Sequence, residues 1–191
     1  NAHLFKGTHN LASGMATSGS LTKWLRDLVG NVDFGTLTKE AGAVPAGSDG
    51  LVILPYFAGE RTPLLDPDAR GTVVGLTLSH GRGHLYRALQ EATAYGARHI
   101  LEVMQDAGGG SARAYAVGGG TKGGLWPQII SDITGLEQDI TEQSVGACYG
   151  DAMLAGIAAG VVDEDANWSP VIDHVKPNLA NKAIYDQLYG V

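Results

Sequence analysis

The sequence predicts an α/β layered domain, a mixed sheet flanked by helices. Short β-like runs alternate with helix-like runs through its second half, which is the signature of strands covered by helices. The 28 glycines fall at turns between periodic segments and form no low-complexity repeat. The 191 residues, 44% hydrophobic and 17% charged, suit one folded domain with a sizeable core.

Each element follows from its pattern. HLFKGTH reads as a short strand and its connection. SGSLTKWLRDLV reads as a helix with Leu21, Trp24, Leu25 and Leu28 on one face and Ser18 or Ser20 as N-cap. DFGTLTKEAGAV is a shorter helix that turns Phe34, Leu37 and Ala41 inward. Leu51 to Leu54 begin as a buried strand, a proline-punctuated segment follows, and GTVVGLTL is a second strand. HLYRALQEATAYGARHILEVMQDAG is the longest helix, with an apolar stripe through Leu85, Leu89, Ala92, Gly96, Ile100 and Val103. Gly96 costs about 1 kcal/mol against Ala in mid-helix, which implies a close helix-on-sheet contact there. ARAYAV is a strand, LWPQIISDITG a helix and LEQDIT a strand. ACYGDAMLAGIAAGVV reads as a buried helix, and the polar tail ends in the amphipathic piece AIYDQLYG.

Composition also excludes. A net charge of −7 without clustered Lys and Arg argues against nucleic acid as a partner. No apolar run is long enough for a bilayer, and the opening residues show no signal-peptide pattern. Cys148, the single cysteine, cannot close an internal disulfide, so the expected compartment is a reducing cytoplasm. The chain opens on Asn1 in mid-pattern, as a piece of a longer protein would.

AVGGGTKGGLW, between a strand and a helix, satisfies G-x-G-x-x-G through Gly118, Gly120 and Gly123. A Walker A loop is excluded, because Lys122 is followed by Gly123 and not by Ser or Thr. A dinucleotide fold remains open, with Asp139 about 20 residues on in the place of a ribose-binding acid. So does a purely structural turn that lets backbones pack closely.

LPYFAGERTPLLDPDARGTVVGLTLSHGRGHLYRALQEATAYG resembles the C-terminal domain of the FGGY carbohydrate kinases, which include xylulokinase, ribulokinase, gluconokinase and glycerol kinase. The family's second signature is matched by Gly71, Gly75-Leu76, the spacer TLSHGRG, and His84-Leu85 leading to Ala88 and Glu91. It departs at Gln90, where the family usually has an apolar residue. Other blocks follow in family order: SGSLTKWLRD, then VGGGTKGGLWPQIISDITG, then ACYGDAMLAGIAAG, then YDQLY. ERTPLLDPDARG and HLYRA fit the xylulokinase-like branch best.

The resemblance implies a ribonuclease-H-like domain of the actin and hexokinase type, with residues 1–191 as the C-terminal, nucleotide-binding domain of a sugar kinase. The sugar contacts, the carboxylate base and the Asp-x-Gly-Thr phosphate motif of the family sit in an N-terminal domain, which is absent from this chain and would be its partner. No catalytic residue is therefore assigned here. DFGT at Asp33 imitates the phosphate motif in letters but reads as a helix cap. The implied nucleotide site is Gly19, Lys23, Gly118, Gly119, Gly120, Thr121 and Gly123. Gly19 would let ATP phosphates approach a helix N-terminus, and the glycine triplet would lie against adenosine. Gly123 stands where relatives often carry Ser or Asn touching the base. Magnesium would ride on the ATP phosphates, with no metal held by this chain. The implied substrate is a small sugar or polyol, with a pentulose such as xylulose favoured, and a homodimer is left open. The rivals are a Rossmann oxidoreductase binding NAD(P), and a non-catalytic actin-like sensor or interaction domain.

Four other groups point to bland roles. His80 and His84 have i, i+4 spacing, but the glycines between them place His80 before the helix. Asp66, Asp68 and Arg70 around Pro67 read as a turn with a local ion pair. Cys148 reads as a small core residue, and Glu60 with Arg61, which follow the buried strand, as a brace of the domain interface.

Overall fold

A long central helix organises the computed structural model, which describes residues 7–111 and 113–191. The first two helices are α1 (Gly19–Leu28) and α2 (Phe34–Gly42). Two short strands follow, β1 (Val52–Leu54) and β2 (Thr72–Val74), paired antiparallel with Ile53 opposite Val73. The central helix, α3 (Arg82–Asp106), packs against α1, α2 and β1. Leu21, Leu25, Leu37, Ile53, Tyr86 and Leu89 close the core between them.

The second half is a β-α-β unit with one strand added. β3 (Arg113–Ala116) runs parallel to β4 (Glu137–Thr141), and α4 (Leu125–Thr134) connects them. After α5 (Ala147–Ala158), β5 (Val171–Val175) returns antiparallel to β4, so the sheet is mixed, in the order β3-β4-β5. The last helix, α6 (Lys182–Tyr189), packs on α4, and its Tyr185 is fully buried in a second core with Ala94, Ile129 and Ile133. No helix among the described residues is long and apolar enough to cross a membrane.

Several expectations are corrected. The strand expected at HLFKGTH begins in residues 1–6, which lie outside those described. Trp24, Leu28 and Phe34 are exposed, because α1 and α2 bury only the narrower faces that meet α3. Ser18 is the residue before α1, yet its side chain makes no capping bond. The apolar stripe of α3 is buried only to Ala94; Ile100 is half-buried and Val103 exposed. Gly96 does not meet a sheet: a Cβ there would lie 2.3 Å from the Met15 sulfur, so the glycine admits the connection that leads into α1. The helix α5 has no buried residue, since no layer covers its apolar side chains among the described residues. Cys148, on that helix, is accordingly exposed. The polar tail contains β5, whose pattern is exposed almost throughout and so carries no alternation to read.

Candidate functional site

Two glycine-led segments meet beside α3. Gly19 opens α1, and Gly119–Thr121 form a tight turn between β3 and α4. Gly19, Gly119, Gly120 and Trp126 together border two cavities of about 450 and 540 Å³. Such volumes fall in the range of small-molecule sites. Trp126 anchors the loop, since its indole N–H donates to Thr93 Oγ1 of α3 at 3.0 Å and its ring lies under Gly120.

The glycines have different reasons to be there. Gly118 and Gly123 take φ of +100° and +90°, a left-handed region that a side chain strains. The fold requires glycine at both. At Gly19 and Gly119 no such need exists: φ lies outside that region, and an added Cβ would meet nothing within 4 Å. Bare backbone there borders the cavity, and packing does not demand it. The first amides of α1 face no capping side chain, which suits an anion at a helix N-terminus.

The structure brings together most of the expected site. Gly19, Gly119, Gly120 and Thr121 line the cavities, and Thr121 Oγ1 donates to the Gly118 carbonyl at 2.8 Å. Gly118 itself donates to Ser144 O at 2.9 Å, which ties the loop to the segment after β4. Gly123 stands one layer back, against the Thr38 methyl group. Lys23 is not among the lining residues: its ammonium is turned to solvent and pairs with Asp27 at 2.7 Å, one helical turn on.

Other lining residues were not anticipated as site residues. Lys122 borders the first cavity and supplies the positive charge that Lys23 does not. Its letters sit inside the glycine block, so its neighbours were the available signal. Thr22, Phe34, Thr38, Tyr86 and Gln90 also line that cavity from α1, α2 and α3. Burial pushes the Tyr86 phenol above its ordinary value, so it stays protonated at neutral pH. No carboxylate and no imidazole lines either cavity among the described residues.

The set-aside groups also find their places. Asp33 caps α2 by accepting from Thr36 N at 2.9 Å. His80 precedes α3 and accepts from Thr77 N, while His84 Nδ1 accepts from Gly81 N and Nε2 lies 3.2 Å from Asp49. No cluster fit to hold a metal occurs among the described residues. Asp66 accepts from the amides of Asp68 and Ala69, forming the expected turn. Asp139 is buried, bridged by Arg113 at 2.5 Å and His174 at 2.6 Å. Its carboxylate is thereby engaged within the sheet and turned from ribose binding.

The sequence profile described as the FGGY family of carbohydrate kinases, C-terminal domain, matches residues 5–159. The chain belongs to this family. It is 34% identical over 168 residues to a gluconokinase of Bacillus subtilis, a match covering 81% of this chain and 33% of that one. It is 33% identical over 146 residues to a xylulose kinase of the same organism, covering 76% and 29%. The crystal structure of xylulose kinase from Rhodospirillum rubrum superposes with a TM-score of 0.78 at 38% identity, over 92% of this chain and 37% of that one. The chain thus spans about a third of the length of the curated relatives it matches. Its fold is that of the FGGY kinases, a ribonuclease-H-like domain of the actin and hexokinase type.

Proposed function

We propose that this chain supplies the ATP-binding half of a kinase that phosphorylates a hydroxyl of a small sugar or polyol, with residues 1–191 as its C-terminal nucleotide-binding domain. The observation that carries this reading is the pair Gly19 and Gly119: two helix-entry backbones, stripped of side chains that the fold would accommodate, border one cleft.

The residues fit a nucleotide. The α1 amides and Lys122 offer donors and positive charge for phosphate, and the Gly118–Gly120 backbone offers a flat surface for adenosine. Phosphoryl transfer depends mainly on positioning and charge stabilisation, so a domain without a base is still essential to it. Magnesium would be carried by the ATP phosphates. The remaining partners are an N-terminal domain and the sugar, and a reducing cytoplasm suits the exposed thiol of Cys148. Xylulose is the sugar favoured by ERTPLLDPDARG and HLYRA, although matches named for gluconate stand equally near.

The test is calorimetric titration of ADP into the chain and into Gly119→Val. The valine meets open space, so its thermal midpoint should stay near that of the parent. ADP affinity should fall at least about tenfold, the equivalent of about 1.4 kcal/mol. Unchanged ADP affinity in Gly119→Val would remove the reading, and tighter NADH than ADP binding would replace it with the oxidoreductase.

A further inference from the structure

Gln90 is a wall residue whose buried amide oxygen the fold leaves unused. It lies on α3 at 2% exposure and lines the 450 Å³ cavity with Gly19, Gly119 and Gly120. Its Oε1 is buried and finds no hydrogen-bond partner among the described residues. A buried amide oxygen without a partner destabilises a fold, so native structures rarely keep one without a use. Two other polar groups of the wall are already engaged: Thr22 Oγ1 donates to Gly19 O at 2.8 Å, and the Trp126 indole donates to Thr93. Lys122 offers donors only.

We infer that Gln90 is the specificity-determining residue for the nucleobase, its amide pairing with the exocyclic amine of adenine and an adjacent ring nitrogen. This rests on the nucleotide reading of the cleft. An amide carries one acceptor and two donors side by side, and adenine presents a donor and an acceptor side by side along one edge. A half-turn about the last side-chain torsion, which is broad and two-fold, exchanges the oxygen and nitrogen ends at little cost. The side chain therefore presents either end to the cavity. The neighbouring wall supports the same assignment. Gly123, packed against the wall residue Thr38, brings no side chain to the cavity, whereas Gln90 brings a polar group from α3. A base contact that is missing from the glycine loop is thus available from the helix beneath it.

The experiment compares ADP with purine riboside 5′-diphosphate, which lacks the 6-amino group, by calorimetric titration of the 191-residue chain. The parent should bind ADP about three- to tenfold more tightly than the analogue. Gln90→Leu and the more flexible Gln90→Met should lose that factor and bind both ligands alike. Their thermal midpoints should equal or exceed the parent's, because the unpaired oxygen is gone. A parent that binds the two ligands equally overturns the inference without any variant having to fold. So does a Gln90→Leu protein that keeps the parent's ratio. Failure of ADP to bind, or binding indifferent to Gly119→Val, overturns the cleft reading itself and this inference with it. ADP binding that is sensitive to Gly119→Val but blind to the amine overturns the role of Gln90 alone.

Discussion

Glu91 shows how much one side chain can hold. Its buried carboxylate accepts from Gly47 N at 3.0 Å, Ser48 Oγ at 2.7 Å, Arg87 Nε at 2.8 Å and Tyr185 OH at 3.0 Å. The turn before β1, the core of α3 and the last helix are thereby joined at one group. Burial holds the Tyr185 phenol above its ordinary range, so it remains a donor. Glu91→Ala would leave the Arg87 charge buried and unpaired, and should cost about 3–5 kcal/mol in urea unfolding. Tyr185→Phe, which removes one hydroxyl next to charged partners, should cost about 1.5–3 kcal/mol. The two lysines test the site in the same way. Lys122 lines the cleft, whereas Lys23 pairs with Asp27 on the solvent side of α1. Lys122→Ala should weaken ADP binding several-fold, and Lys23→Ala should leave it unchanged; equal losses in calorimetry would contradict this placement. The sequence showed Glu91 only as part of a family signature, because its partners other than Arg87 lie 43 to 94 residues away along the chain. The outward turn of Lys23 was hidden for a related reason: helical periodicity fixes a face only once the neighbour of that helix is known.

Elements were readable where their own pattern repeats and obscure where it does not. The helices α1, α3 and α4 announce themselves by apolar spacing, and the glycine turn is plain in the letters. By contrast, β5 is a strand because β4 offers it an edge, and α5 has apolar residues with no layer over them. Neither fact is local. The sheet also has an electrostatic clasp that strand patterns do not reveal. Asp139 on β4 binds Arg113 on β3 and His174 on β5, and the Arg113 guanidinium, with further help from His174, holds its carboxyl below the ordinary value. A carboxylate with a depressed folded-state pKa stabilises the fold above its unfolded value and loses that contribution as pH falls through the folded one. The clasp is therefore intact at neutral pH and opens below about pH 4. Asp139→Asn should lower the thermal midpoint at pH 7 and flatten its decline below about pH 4. The flattening is partial, since Asp27, Asp33, Glu40 and Asp186 are also depressed by hydrogen-bonded or cationic neighbours. Circular dichroism melts across that range give the answer, and a variant curve parallel to the parent's would show that the clasp contributes nothing.

In the proposed function the cleft as a whole holds a nucleotide, and other residues carry out the proton transfer. Its walls carry backbone amides, a lysine, an amide side chain and aromatic surface, but no carboxylate or imidazole among the described residues. A sugar hydroxyl needs a positioned base to lose its proton as it attacks phosphorus, and general-base catalysis is worth about 10²–10⁴-fold. Positioning of the two reactants contributes still more, up to about 10⁵–10⁸-fold, and that requires walls on both sides of them. The chain spans about a third of its curated relatives, and the proposed function assigns both contributions to residues outside it. The 191-residue chain should accordingly bind ADP and yet release no ADP from ATP in the presence of xylulose, gluconate or glycerol, followed by a coupled spectrophotometric assay. Sugar-dependent ADP release above the rate without protein would mean that a base stands within this chain, and the division of labour proposed here would have to be abandoned.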